Sequence, residues 1–310
     1  GVHRRGVGAE RGARCGTVRA RLWGVLVVVA PGMSPAQKQG GVLRVYPRDS
    51  PCGMSIHELG TISAVMPVMG VFNNLVLYDQ HKAQNSLDTI VPDLADSWTW
   101  NADWTQLTFK LHDGVKWHDG KPFTSADVKC TWDLLTGKSK DAFKINSRAG
   151  WYFNLDQVTT NGPLEATVHR KRPQPALLAL LASGFSPVYP CHVSTRDMRV
   201  SPIGTGPFKF VEFKANEGMK VTRNPNYWKP NRPYLDGVEY TIIPNRSTAI
   251  LSFIAGKFDL TCPYEVTIPL LQDVKTQSPA AICEIATTNV GGNMLMNMAP
   301  APSRETLAVV

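Results

Sequence analysis

The chain of 310 residues contains no apolar run long enough to cross a bilayer as a helix, which takes about 20 residues; the run from Leu22 to Ala30 falls well short. It has no Cys-x-x-Cys pair, so neither a zinc ribbon nor a thioredoxin-type redox motif is present. It has no G-x-x-x-x-G-K-[ST] loop for a nucleoside triphosphate, no H-E-x-x-H metalloprotease motif and no G-x-S-x-G nucleophile elbow. Internal repeats and low-complexity tracts are also missing. The 23 prolines and 25 glycines are dispersed rather than massed, which excludes a disordered or fibrous composition. With 43% hydrophobic residues the chain can bury a substantial core, and its length suggests about two domains.

The formal charge of +8 suggests nucleic acid until it is located. Residues 1–36 hold six arginines against one acid, which accounts for +5 and leaves only +3 on the rest. No later block of Lys and Arg is dense enough to follow a phosphate backbone, so no nucleic-acid partner is expected. That first segment runs from basic to apolar (Leu22 to Ala30) to small residues, with Ser34 and Ala36 suitably spaced for cleavage. The order predicts a secretory signal peptide over residues 1–36 and a periplasmic product. Export would permit disulfides among the six cysteines, but their long spacings favour buried free thiols, with Cys15 leaving in the leader.

Local patterns give a mixture of strands and helices without a strict βα repeat, hence an α+β fold rather than a doubly wound sheet. Val42 to Tyr46 reads as a first strand, and residues 56–70 carry apolar positions at helical spacing. Leu107 to Leu111 alternates as a half-buried strand, flanked by the Asp113-Gly114 and Asp119-Gly120 turns. Thr124 with Asp127 forms a capping box for a helix that Gly137 ends. Pro175 starts a second helix, and Ser247 caps a third that stops at Gly256. Between these last two helices, Phe208 to Phe213, Gly218 to Arg223 and Val238 to Ile243 read as strands. Most of the eight tryptophans are expected in the core.

Two histidines, His112 and His118, stand beside Asp113 and Asp119, but the aspartates already have turn roles, so no metal or other cofactor is expected. Gly204-Thr205-Gly206 is followed by Pro207 and a strand, whereas a phosphate loop must open a helix. Its glycines fit a tight turn instead.

Those glycines belong to the stretch Ile203-Gly204-Thr205-Gly206-Pro207-Phe208-Lys209-Phe210, followed by Asn224-Pro225-Asn226-Tyr227-Trp228. Upstream stand Pro92-Asp93-Leu94-Ala95 and His112-Asp113-Gly114-Val115-Lys116-Trp117-His118-Asp119-Gly120. In this order the blocks resemble the family 5 extracellular solute-binding proteins, receptors of bacterial ABC importers. The resemblance covers Gly40 to Asp259. It implies a two-lobed periplasmic binding protein with lobe I at 40–75 and 195–280, an inserted subdomain at 76–194, and the start of lobe II at 281–310. It implies a monomeric, non-enzymatic receptor for peptides or related small solutes, which hands them to a membrane permease. A secreted hydrolase is the alternative reading.

The family's second-lobe opening motif is not reproduced after Asn297, so the resemblance implies a chain lacking most of that lobe, with impaired binding. A half-cleft is then expected on loops leaving strand ends. Asp49, Ser50 and Met54 follow the first strand, Thr261, Tyr264 and Glu265 follow Phe258-Asp259-Leu260, and Thr288 and Asn289 precede the second lobe. Asp49 and Glu265 would meet a ligand amine, Tyr264 would stack, and Ser50, Thr261 and Asn289 would pair with peptide groups.

Overall fold

The computed structural model describes residues 11–17, 39–261 and 266–287. The chain forms two compact units, one of residues 24–249 and one of residues 1–23 with 250–310.

The larger unit opens with strand β2 (Val42–Tyr46), after β1 (Arg11–Thr17) of the other unit. It continues through α1 (Ile62–Val65), β3 (Val76–Tyr78), β4 (Ile90–Pro92), β5 (Ala95–Trp100), β6 (Gln106–Leu111) and α2 (Ser125–Leu135). Then come β7 (Leu155–Thr160), β8 (Glu165–Arg170), α3 (Leu177–Leu181), α4 (Thr195–Val200), β9 (Phe208–Lys214), β10 (Gly218–Arg223) and β11 (Gly237–Thr241). Helix α5 (Arg246–Ile254) follows, and the smaller unit ends with β12 (Leu260–Thr261), α6 (Ile268–Gln277) and β13 (Ala281–Thr287).

In the larger unit β2, β11, β10 and β9 lie side by side, with β2 and β11 parallel and the other pairs antiparallel. Strands β5, β6, β8 and β7 make a separate antiparallel sheet, and β3 with β4 a two-stranded ribbon. The expected alternation is present on β6, where Leu107, Phe109 and Leu111 are buried. They share a core with Val128, Trp132 and Leu135 of α2, which packs on β7 and β8. The N–H of Thr124 donates to the Asp127 carboxylate at 2.9 Å, and Gly137 (φ 73°) ends the helix as read. Trp117 and Trp132 are buried, whereas Trp104 and Trp151 are exposed.

Three local expectations changed. The helical spacing of residues 56–70 produces α1 and a 3₁₀ turn over Met66–Val71 only. Pro67 lacks the N–H that a continuous helix needs, and the peptide groups of 56–59 are claimed by a polar cluster described below. Asn245, not Ser247, caps α5, accepting from the Thr248 N–H at 2.9 Å. Cys130 and Cys191 are joined in a disulfide rather than free, their Cα atoms 5.7 Å apart, tying α2 to the chain before α4.

In the smaller unit β1 runs antiparallel to β13, with Cys15 opposite Cys283 in the register, and bridges to β12 through Gly16 and Leu260. Part of the segment read as a leader thus lies in a sheet. An unpaired strand edge offers a row of N–H and C=O groups that any extended segment can satisfy.

Backbone meets backbone closely in the larger unit at Gly204 and Gly206. A Cβ on Gly204 would sit 1.8 Å from the Val71 carbonyl oxygen, and one on Gly206 2.5 Å from the Val71 carbonyl carbon. Backbone cannot yield as a flexible side chain can. Gly204→Ala is therefore expected to lower stability by more than about 3 kcal/mol in urea denaturation. A loss within about 0.5 kcal/mol, the range of ordinary surface substitutions, would show that the turn is not so confined.

Candidate functional site

The loop after β2 becomes a strap across the larger unit, held by buried polar groups. Ser50 Oγ accepts from the Asn216 N–H at 3.0 Å, fixing the strap's start to the β9–β10 turn. The Met54 N–H donates to the Arg199 carbonyl at 2.9 Å. Ser55 shares a 3.2 Å hydroxyl contact with Tyr189, and His57 Nε2 lies 2.8 Å from the Pro187 carbonyl, to which it must donate. Glu58 Oε1 accepts from the Lys144 N–H and from Arg199 Nη1, both at 2.7 Å. Burial drives the His57 pKa down to about 3, against the Pro187 bond, and the Arg148 charge lowers it further.

Arg148 is the centre of this cluster. It is 1% exposed, and its Nη2 donates to the carbonyls of Ile56 (3.2 Å) and Leu59 (2.6 Å). Its guanidinium carbon lies 4.6 Å from the Trp151 ring centre and 4.3 Å from that of Phe185. No carboxylate among the described residues pairs with it, so carbonyl dipoles and two ring faces carry the charge. Around it the chain exposes apolar side chains that a folded core would normally take in: Ile62 beyond the strap, then Ile145, Trp151 and Phe153 on the segment that contacts it. Beside the strap, Ile56, Met69, Gly184 and Pro187 line a 380 Å³ groove together with Asn73, Tyr227 and Lys229.

Behind this face the sequence blocks lock together. The Gly204 N–H donates to His118 Nδ1 at 3.3 Å, which leaves Nε2 as the protonated nitrogen, 3.0 Å from the Gly206 carbonyl. The His118 N–H in turn donates to the Gly204 carbonyl at 2.9 Å. A ring that accepts at one nitrogen is neutral, and burial accordingly lowers the His118 pKa to about 4. Asn224 Nδ2 donates to the Gly206 carbonyl at 3.2 Å, and Lys209 Nζ to the His118 carbonyl at 3.0 Å. Asp93, 4% exposed, accepts from Lys229 Nζ (2.5 Å), from Asn73 Nδ2 (3.0 Å) and from the Asn74 N–H (3.0 Å). Asn73 Oδ1 accepts from the Thr205 hydroxyl at 3.1 Å, closing the circuit. His112 Nδ1 lies 2.6 Å from Asp96, so each histidine considered as a metal ligand has a structural partner.

Of the residues expected at the site, Asp49 is exposed and Ser50 holds the strap. Met54 is fully buried, its side chain committed to the core. Thr261 is fully buried on β12 of the smaller unit. Tyr264, Glu265, Thr288 and Asn289 lie outside the described residues. Sequence reasoning missed Arg148, an isolated cation between Ser147 and Ala149 that belongs to no motif, and placed Trp151 with the core tryptophans. The pairing of a cation with an aromatic three positions on was the available signal.

This mixed sheet with its separate antiparallel layer is the fold of periplasmic binding proteins. The oligopeptide-binding protein AppA of Bacillus subtilis, solved with a nonapeptide, superposes with a TM-score of 0.68 at 26% identity over 78% of this chain and 47% of its own. Residues 89–307, more than two thirds of the chain, match the bacterial extracellular solute-binding proteins, family 5 (middle), and the chain belongs to that family. A Brucella ovis protein named as an ABC transporter peptide-binding protein is 30% identical over 77% of this chain and 44% of its own length. The glutathione-binding protein GsiB of Pectobacterium atrosepticum is 27% identical over 64% and 39%. The chain thus spans about half the length of the curated relatives it matches. Among the described residues no helix is long and apolar enough to cross a membrane.

Both buried histidines resist protonation when folded but accept it near pH 6.5 when unfolded, so the unfolded state binds more protons as the pH falls. Their stabilisation is complete above about pH 6.5 and is lost progressively toward the folded values near 3 and 4. Between pH 6 and 4.5 each contributes a slope of up to about 1.4 kcal/mol per pH unit. His118→Gln should flatten the urea-derived stability profile there by roughly that amount; an unchanged slope would mean that His118 is not buried neutral.

Proposed function

We propose that this chain forms the first lobe of a periplasmic receptor that captures peptides or related small solutes and delivers them to the membrane permease of an ABC importer. Membership of family 5 and the names of its relatives support a receptor over a secreted hydrolase. Ser186, next to the Pro187 whose carbonyl His57 holds, has its hydroxyl engaged by Tyr152 (2.9 Å) and the Leu180 carbonyl (2.7 Å), as a structural serine does. In this reading residues 1–36 direct export, 76–194 are an insertion within lobe I, and the receptor works as a monomer without a cofactor.

The observation that carries the assignment is the exposed apolar and aromatic side chains near a buried Arg148 that pairs with no carboxylate among the described residues. A receptor for varied peptides needs apolar surface for side chains and an orienting charge for a terminus, and must bind without a covalent step. Trp151 and Ile145 would cover ligand side chains, and the Arg148 charge would favour a carboxylate. Asp49 and Ser50, at the head of the strap, would meet an amine and a peptide group.

A library of di- to pentapeptides should contain members that raise the melting temperature in a concentration-dependent way. Trp151→Ala should weaken binding of the best of them by about tenfold, the order of one lost aromatic contact. If no peptide shifts the melting temperature, or if the variant binds the best peptide as tightly as the parent, the assignment of this face fails.

A further inference from the structure

A second concavity of 590 Å³ lies between the β3–β4 ribbon and the loop from Tyr227 to Leu235. Its volume is in the range of small-molecule sites, about 300–1,000 Å³. Leu77, Val91, Phe208 and Tyr234 give it a largely apolar lining. Its charged groups are few and unequal in their commitments. Lys229 is neutralised by the buried Asp93 at 2.5 Å. Asp79, on the ribbon side, already accepts from the His81 N–H at 2.9 Å. Arg232 lies with its guanidinium 4.5 Å from the Tyr234 ring centre and pairs with no carboxylate among the described residues.

We propose that this groove is a second ligand site, distinct from the strap, for a small carboxylate with an apolar body. The body would lie against Leu77, Val91 and Phe208, where burial of apolar area supplies the affinity. The carboxylate would sit at Arg232, whose planar fork matches it in a bidentate pair and whose aromatic support fixes its plane. Asp79 repels an anion placed in the opposite sense, so the groove assigns the ligand a direction as well as a class. This site does not depend on peptide capture: it uses none of Arg148, Trp151 or the strap.

The probe is 4-phenylbutyrate, with the neutral 4-phenyl-1-butanol as control, titrated calorimetrically into the full chain and followed by amide chemical shifts. Saturable binding at one site is expected, with shifts confined to the amides of residues 77–81, 91, 208 and 227–235. The alcohol should bind at least about fivefold more weakly, and Arg232→Ala should reduce affinity for the acid by a similar factor, the scale of a charged hydrogen bond at a partly wet site. Val91→Trp should fill the groove and abolish binding; where that variant melts below the parent, the shift map stands in its place. Peptide binding should be unaffected by Arg232→Ala. No saturable binding, equal binding of acid and alcohol, an unchanged affinity in Arg232→Ala, or shifts centred on the strap would each overturn the proposal.

Discussion

The chain reversal at Gly204-Thr205-Gly206 passes so close to the backbone of Val71 that only a missing Cβ allows it, and much of the larger unit is arranged around that approach. The Gly206 N–H donates to the Val71 carbonyl at 2.9 Å, fixing the turn to the end of the 3₁₀ segment. His118 clasps the same turn through both ring nitrogens, bringing in the hairpin after β6. Thr205 reaches Asn73, Asn73 reaches Asp93, and Asp93 holds Lys229. Residues more than 150 positions apart are thereby held in one network, and the strap and the two grooves are shaped by what it holds still. The network places charge and polarity in the interior only where every partner is supplied, as a buried polar circuit must.

Two of the buried charges, Asp93 and Arg148, are treated differently. Asp93 is deeply desolvated, which pushes its carboxyl upward, yet Lys229, Asn73 and Asn74 all oppose that shift. Removing Lys229 would strand an anion, so the pair secures geometry more than it adds net stability. Arg148 has no such counter-charge, and burial lowers its pKa. A cation left with carbonyls and ring faces beside an exposed aromatic side chain is the arrangement on which the proposed binding face rests.

Much of the fold was legible because its signals are local. The alternation on β6, the Thr124–Asp127 box and the positive φ at Gly114, Gly120 and Gly137 depend on neighbours in sequence, and each appears where read. The segment 56–70 was misread because its helical spacing competes with long-range partners: Tyr189, Pro187 and Arg148 claim residues 55–59, and spacing alone does not reveal them. The site was less legible for the same reason. Arg148 becomes distinctive only when its contacts prove to be carbonyls and rings rather than a carboxylate, and Met54, in a loop that looked exposed, turns inward to the core. The sequence blocks that marked the family are now seen as scaffold, since His118, Gly204, Gly206 and Asn224 bond one another.

Hydrogen exchange at the Gly206 and Asn224 amides tests the central claim most directly. Both N–H groups are bonded within the network, to the carbonyls of Val71 (2.9 Å) and Pro207 (2.8 Å). If the turn organises the larger unit, they should exchange only through global opening, with a free energy equal to that from urea denaturation and as high as that of the Val221 amide in β10. Exchange of either amide through local opening several kcal/mol cheaper than global unfolding would contradict the account, because a turn that opens independently cannot be what holds the rest in place.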